Sequence, residues 1–131
     1  MHYRAITNDI EVSVRPSFLE SHSMPEDEHF VWAYEIEIAN HRRDRIEIVS
    51  RHWTITNASG IVETVSGDGV AGKHPVIAPE ERYSYQSAAP LDTPSGIMVG
   101  HYIVKTDDNR LLKIDIPAFS LDSPYEAGSR H

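Results

Sequence analysis

The chain has 131 residues, a length that predicts one domain with a single ordinary core, and we assign residues 1–131 to it. Its 12 basic and 20 acidic side chains give a formal charge of −8, which argues against a nucleic-acid partner because such proteins usually present a basic face. It contains no cysteine, so disulfides, thiolate nucleophiles and every metal site that needs sulfur are excluded.

The N-terminal segment, residues 1–9, has no apolar stretch of the kind that a signal peptide carries. The longest uninterrupted apolar run is residues 30–34, whereas a membrane helix needs about 20 apolar residues. These two features predict a cytoplasmic protein without membrane insertion.

The first half of the chain alternates apolar and polar residues at period two, which predicts strands. The first predicted strand covers residues 10–15 and ends at Pro16, and a loop covers residues 17–29. The clearest alternation covers residues 30–39. Five large apolar side chains fall on one face there: Phe30, Trp32, Tyr34, Ile36 and Ile38. A strand with one buried face has this pattern.

The next predicted strand, residues 46–57, changes phase along its length. Ile46 and Ile48 share one parity, whereas Trp53 has the other. A one-residue slip would turn half of these side chains to solvent, so we predict a β-bulge at residues 49–50.

The second half of the chain continues in the same style. Further strands are predicted over residues 61–66, 82–87, 97–106 and 111–116, with a break at Pro117 and an edge segment around Phe119 and Leu121. The core of the domain spans roughly residues 9–124, and the tail after residue 122 is expected to be flexible. Seven or eight strands without a helix predict an all-β fold: a two-sheet sandwich of immunoglobulin or fibronectin III type, with a closed barrel as the alternative.

One hexapeptide has the spelling of a dinucleotide-binding loop, G-x-G-x-x-G. It consists of Gly67, Asp68, Gly69, Val70, Ala71 and Gly72. Such a loop must open a helix that holds the pyrophosphate, and Pro75 and Pro79 make a helix there unfavourable.

Two interpretations of the hexapeptide remain open. Its glycines permit a tight connection between strands through positive φ angles. Alternatively, successive N–H groups of the loop, with Lys73 beside them, form a nest for phosphate or pyrophosphate, with or without a bridging divalent metal. The carboxylate of Asp68 weakens the anion hypothesis and Lys73 supports it.

The sequence shows no catalytic or metal-binding motif. The eight histidines are scattered without the spacing of a ligand cluster, and no G-x-S-x-G motif is present. A catalytic triad of Ser50, His52 and Asp44 is disfavoured by strand geometry. Ser50 and His52 are two residues apart on one predicted strand, so their Cα atoms lie about 6.5–7 Å apart, which is longer than a direct triad contact usually requires. We therefore predict no catalytic residue, no metal ligand and no cofactor.

A protein partner is the remaining possibility. Arg51, His52, Trp53 and Tyr102 are candidate partner-contact residues, because Arg, Trp and Tyr are enriched at interface hot spots. The edge strands of a sandwich can also take up an extended peptide.

Five segments together resemble a known family. They read SRHWTIT (50–56), GDGVAGKHP (67–75), YQS (85–87), TPSGIMVGHY (93–102) and IPAFSL (116–121). In this order and spacing the chain resembles the bacterial ApaG family. It departs from the family pattern at Glu80 and Ala88, where many relatives carry glycine, so the shapes of those turns are in question.

The resemblance implies a fibronectin III-like sandwich that occurs alone in bacteria and is attached to adaptor proteins in eukaryotes, where it engages partners. It also implies a link to cobalt resistance and magnesium efflux. Together with the absence of catalytic motifs, it predicts a non-enzymatic binding or adaptor module that engages an unidentified protein partner in metal homeostasis. The alternative is a small-anion binding protein that uses the Gly67 to Gly72 loop.

Overall fold

A computed structural model describes residues 2–125 of the chain, and these residues form an all-β structure. Two 3-10 turns, Glu20–His22 and Pro25–Asp27, interrupt the strands. The strands are β1 (Tyr3–Thr7), β2 (Ile10–Phe18), β3 (Phe30–Asn40), β4 (Ile46–Asn57), β5 (Val62–Asp68), β6 (Val76–Ile77), β7 (Arg82–Leu91), β8 (Gly96–Thr106) and β9 (Leu111–Leu121).

The strands form two antiparallel sheets that pack face to face. One sheet has the order β1-β2-β3-β7, and the other has the order β5-β4-β8-β9 with β6 paired to β4. The predicted all-β, two-sheet sandwich is confirmed. β1 and β6 were not predicted, because β1 is an edge strand with Ile6 exposed, and β6 has two residues, too few for a visible alternation.

Three strands continue through prolines, so the expected breaks at Pro16 and Pro117 were wrong. Pro16 pairs with Tyr34 beyond the end of β1, where β2 has a neighbour on one side only. Pro90 and Pro117 lie on the edge strands β7 and β9. A missing N–H is tolerated at these positions because no neighbouring strand requires it.

The predicted bulge in β4 is confirmed. The register of β4 against β8 shifts between Ile48 and Ser50, so that Ile48 and Trp53 both face the core despite their odd separation. A second register shift lies between Met98 and Gly100 of β8, opposite Pro117 of β9. It allows residues of both parities in β9 to face the core. Its signal in the sequence was the parity change between Ile114 and Ile116 on one side and Phe119 and Leu121 on the other.

The core fills the space between the two sheets with apolar side chains. Trp53 makes an edge-on contact with Tyr34 and another with Phe119, at ring-centroid distances of 5.6 and 5.9 Å. Edge-on packing places the positive rim of one ring against the negative face of the next. Trp32 donates its indole N–H to the carbonyl of Asp122 at 2.7 Å, so this large side chain is buried with its polar group bonded.

Asn40 is a fully buried polar residue at the end of β3. Its Nδ2 donates to the carbonyls of Asp44 and Ile77, each at 2.9 Å, and its Oδ1 accepts from the backbone N–H of Arg42 at 2.9 Å. One side chain therefore joins β3 to the turn that follows it and to β6.

The turn before β7 keeps a left-handed residue although glycine is absent. Glu80 has a φ of 68°, and its backbone N–H donates to the carbonyl of Asn40 at 2.8 Å. Glycine adopts such an angle without strain, whereas the side chain of Glu80 makes it less favourable. Ala88 lies inside β7 opposite Ala33, where its backbone is an ordinary strand.

The end of the described chain lies against the sandwich. The ring of Tyr125 contacts Phe18 and Phe30 at centroid distances of 6.0 Å, and its hydroxyl donates to Glu20 at 2.6 Å. The rest of the tail predicted to be flexible, residues 126–131, lies outside the described residues. Within residues 2–125 there is no apolar helix of membrane-spanning length.

We expect Asn40→Ala to lower the free energy of unfolding by about 3 kcal/mol, because it leaves buried backbone groups without partners. Urea denaturation measures this change. Asn57→Ala is the matched control, because the Asn57 side chain also makes three hydrogen bonds but at the surface, where water replaces them. Equal decreases in the free energy of unfolding of the two variants would contradict the conclusion that the buried hydrogen bonds of Asn40 stabilise the fold.

Candidate functional site

The glycine-rich hexapeptide begins inside a strand rather than after one. Gly67 and Asp68 are the last residues of β5, which is longer than the predicted strand over residues 61–66. No helix follows, since a short turn leads to β6. The geometry that a dinucleotide needs at this motif is therefore absent from the described chain.

The rest of the hexapeptide is a tight hairpin turn. Val70 and Lys73 exchange two backbone hydrogen bonds of 2.9 Å, and the central residues Ala71 and Gly72 have φ angles of 50° and 74°. Two positive φ angles are the mark of a type I′ turn. The N–H of Gly69 donates to the carbonyl of Val49 at 2.8 Å.

These bonds bear directly on the anion hypothesis. The N–H groups of Gly69, Val70 and Lys73 all donate to the protein's own carbonyls. A phosphate site at Gly67 to Gly72 stays a prediction, and it would depend on the other N–H groups of the loop and on the Lys73 ammonium.

The side chain of Arg51 is hydrogen-bonded to the backbone of the glycine-rich hexapeptide. Its Nη1 donates to the carbonyls of Asp68 and Gly69, each at 3.1 Å. A Cβ at Gly67 would lie 2.8 Å from the guanidinium carbon, so glycine makes room for the arginine there. The side chain predicted to meet a partner is thus already bonded to the chain's own backbone.

The four candidate partner-contact residues do not share a surface. Trp53 is 3% exposed and Tyr102 is 0% exposed, and both lie in the core. The Tyr102 hydroxyl is hydrogen-bonded to the Tyr85 hydroxyl, and burial raises the pKa of both phenols. The side chains of Trp53 and Tyr102 are therefore unavailable to a partner. Arg51 and His52 remain partly accessible.

His52 lies on the outer face of the β5-β4-β8-β9 sheet. Its Nδ1 is 2.7 Å from the hydroxyl oxygen of Ser66, and its ring stacks on His101 at a centroid distance of 5.1 Å. The triad of Ser50, His52 and Asp44 is not assembled in the structure. His52 contacts Ser66 instead of Ser50, and Asp44 pairs with Arg42. The sequence could not reveal Ser66, since the contact depends on the register between β4 and β5.

The contact between Ser66 and His52 lacks the additional group that an activated serine nucleophile requires. A catalytic pair needs a third group that orients the base, and no carboxylate is hydrogen-bonded to His52 among the described residues. Nor does that part of the chain place three or more His, Asp or Glu side chains where they would hold a metal ion. The arrangement is that of a polar sheet surface.

A cleft of about 500 Å³ opens between the sheets at the start of β5. It combines an apolar floor with acidic side chains and contains no lysine or arginine. Its lining residues are Glu28, His29, Ile55, Asn57, Ile61, Glu63, Pro90, Leu91 and Asp92. Glu28 is held at the cleft by a left-handed backbone, with a φ of 54°.

The strand beside the cleft, β5, has an open edge. Within the described chain it pairs with β4 alone, and every residue from Val62 to Ser66 is exposed. The bonds from Asn57 to the Ile61 carbonyl and from Gly69 to the Val49 carbonyl fix which pairs are hydrogen-bonded. By alternation, the N–H and C=O groups of Val62, Thr64 and Ser66 point away from the sheet.

The other edges are protected in ways that β5 is not. β1 and β9 contact each other, through Asp115 N–H to Thr7 Oγ1 at 3.2 Å and through the hydroxyls of Tyr3 and Ser120 at 3.1 Å. β7 carries Arg82 at one end and Pro90 near the other. β5 contains neither proline nor a basic side chain. Proline and lysine are among the usual protections of a sheet edge, and the charged residues of β5 are the acidic Glu63 and Asp68 only.

Comparison with known proteins decides the family. The model of the ApaG domain matches residues 20–106. The chain belongs to the ApaG domain family. It is 52% identical over 122 residues to Protein ApaG of Rhizobium etli, covering 93% of this chain and 94% of the relative. It is 50% identical over 124 residues to Protein ApaG of Paramagnetospirillum magneticum, covering 95% of each.

Solved structures of the family share the fold. The structure of an ApaA protein from Bordetella pertussis superimposes with a TM-score of 0.86 at 36% sequence identity, covering 90% of this chain and 96% of the other. The resemblance seen in the five sequence segments is thus confirmed. The family names of these relatives state no activity.

The cleft, and the fact that β5 is the open edge, were not found from the sequence. Glu28, Glu63 and Asp92 are far apart along the chain and meet only because β3, β5 and β7 converge at one end of the sandwich. The one available signal was the composition of residues 61–66, which are mostly β-branched and contain neither proline nor a basic residue.

Two glycines of the turn differ in what surrounds them, and this gives a matched pair of variants. A Cβ on Gly69 would lie 1.9 Å from the carbonyl oxygen of Lys73, whereas a Cβ on Gly72 would meet nothing within 4 Å. We expect Gly69→Ala to lower the free energy of unfolding by about 3 kcal/mol and Gly72→Ala by about 1 kcal/mol, which is the cost of a left-handed alanine. Chemical denaturation distinguishes them, and equal effects would contradict the turn geometry.

Burial lowers the pKa of His101, and the positive charge of Lys113 and the neighbouring His52 lower it further, against the attraction of Asp115. The unfolded chain therefore binds the proton first as pH falls below about 6.5, so stability declines on acidification through that range. We expect His101→Gln to weaken this decline in urea titrations. NMR titration should show a higher pKa for His101 in Lys113→Gln, and an unchanged value would refute the electrostatic cause.

Proposed function

We propose that this protein is a non-enzymatic binding module of the cytoplasm that takes up an extended segment of a protein partner along the open edge of β5. The observation that carries the proposal is the contrast between this edge and the protected ones. Val62, Thr64 and Ser66 direct backbone donors and acceptors away from the sheet in a strand that contains neither proline nor lysine.

An added strand satisfies those backbone groups with its own. Main-chain hydrogen bonds then give affinity, and the side chains that alternate along the added strand give specificity. The edge is seven residues long, which is within the ordinary length of a strand. A permanently open edge of this kind is an aggregation hazard, so its retention is easier to understand if it has a partner.

The rest of the site supports binding over catalysis. The serine–histidine contact between β5 and β4, from Ser66 to His52, lies on an exposed sheet face without an orienting carboxylate. Arg51 and the N–H groups of Gly69 and Lys73 are bonded to backbone carbonyls. We place the module as an adaptor in metal homeostasis on the family resemblance alone.

The proposal is tested by a substitution that closes the edge without touching the sheet. Thr64→Pro removes one outward N–H and places its ring at the edge, and the bonds of β5 to β4 stay intact because they use Glu63 and Val65. Thr64→Val keeps the N–H and the β-branched shape. We expect proteins captured from a cell extract by the parent chain and by Thr64→Val to be lost with Thr64→Pro.

Mass spectrometry of the three captures provides the measurement, with circular dichroism to show that Thr64→Pro is folded. Each protein lost with Thr64→Pro is then purified and titrated against the three chains. If Thr64→Pro captures and binds the same proteins as Thr64→Val, the edge of β5 is not the binding surface.

A further inference from the structure

We infer that the segment bound at β5 carries aliphatic and basic side chains on the face that turns toward the cleft. This inference rests on the proposed function and specifies the chemistry of the partner. It follows from the two faces of β5 and from the charges around the cleft.

The inner face of β5 leads directly into the cleft. Glu63 is paired with Ile55 of β4, and Val65 is paired with Trp53, so Glu63 and Val65 face the side of the sheet that carries the core. The opposite sheet covers Trp53 but leaves Val65 38% exposed. An added strand would place every second side chain beside Glu63 and Val65, above the floor formed by Ile55 and Leu91.

The charges around this floor have one sign. Glu28, Glu63 and Asp92 line the cleft, and none of them takes part in an ion pair within the described chain, whose pairs use other carboxylates. One oxygen of Asp92 accepts a hydrogen bond from Asn57 at 3.1 Å, which leaves its other oxygen for a ligand. Carboxylates beside an apolar floor favour a lysine or arginine, whose methylene stem packs while its charge is paired.

The outer face of β5 favours different side chains in the bound segment. Val62, Thr64 and Ser66 are small or β-branched, and their paired residues on β4 are Thr56, Thr54 and His52. Threonine or valine at the alternate positions of the bound segment suits such a surface. The expected segment therefore alternates threonine-like residues with a face of aliphatic and basic ones.

A second copy of this chain fits the edge less well. Each copy carries a formal charge of −8, and antiparallel pairing of two β5 strands would bring Glu63 and Asp68 of each copy to one edge. Neither strand contains a cation to offset them. Like charges brought together at an interface oppose association.

Two synthetic nine-residue peptides test the inference by fluorescence anisotropy. One reads Thr-Val-Thr-Lys-Thr-Val-Thr-Lys-Thr, and the other has Glu in place of each Lys. We expect the lysine peptide to bind at least about tenfold more tightly than the glutamate peptide at low salt, and the difference to shrink as salt is added.

Variants separate the charge from the edge. Glu63→Gln should reduce the preference for the lysine peptide about threefold or more, because it removes one carboxylate beside the cleft. Glu35→Gln, which alters an exposed carboxylate on the other sheet, should leave the preference unchanged. Thr64→Pro should abolish binding of both peptides. Thermal unfolding checks that each variant is folded.

The outcomes distinguish the inference from the proposed function. If both peptides bind equally and Thr64→Pro abolishes both, the edge binds strands but the basic preference is refuted. If Thr64→Pro leaves peptide binding unchanged, the edge itself is refuted. Failure of the lysine peptide to bind at millimolar concentration, or self-association of the chain that Thr64→Pro abolishes, also overturns the inference.

Discussion

The bulge at Val49 is the constraint on which the arrangement of this sandwich depends. Before the bulge, Ile46 and Glu47 pair with β6, and after it β4 pairs with β5. The carbonyl of Val49 itself accepts the N–H of Gly69, where the chain leaves β5. One extra residue thus lets the strand keep its apolar side chains inward and change its neighbour. The position of the glycine turn and the length of the free β5 edge both follow from that change.

Sequence patterns predicted the strands that have one buried face. β3 and β4 were recognised because alternation is strong where a sheet divides core from solvent. β1 and the last two residues of β5 were not predicted, because exposed edge strands have no apolar face to reveal them. The strand breaks predicted at Pro16 and Pro117 were wrong for a related reason. A missing N–H interrupts a strand only where a neighbouring strand would have accepted its hydrogen bond.

The candidate site was less accessible to sequence reasoning than the fold. Tyr102 and Trp53 looked suited to an interface by residue type, but both lie in the core. The spelling of the hexapeptide suggested a ligand, yet Gly67 makes space for Arg51 and Gly69 for a carbonyl of the same turn. Burial of polar and aromatic groups is decided by pairing across the sheets, which spacing along the chain does not record.

The contact between β1 and β9 has a consequence for how the domain is tethered. The hydroxyls of Tyr3 and Ser120 meet there, so the first and last strands lie together at one margin of the sandwich. β5 lies at the opposite margin of its sheet. A fluorophore, a surface linker or a neighbouring domain joined through either of these terminal strands would leave the β5 margin facing outward. The fold therefore separates the margin where the two terminal strands meet from the margin where β5 is exposed.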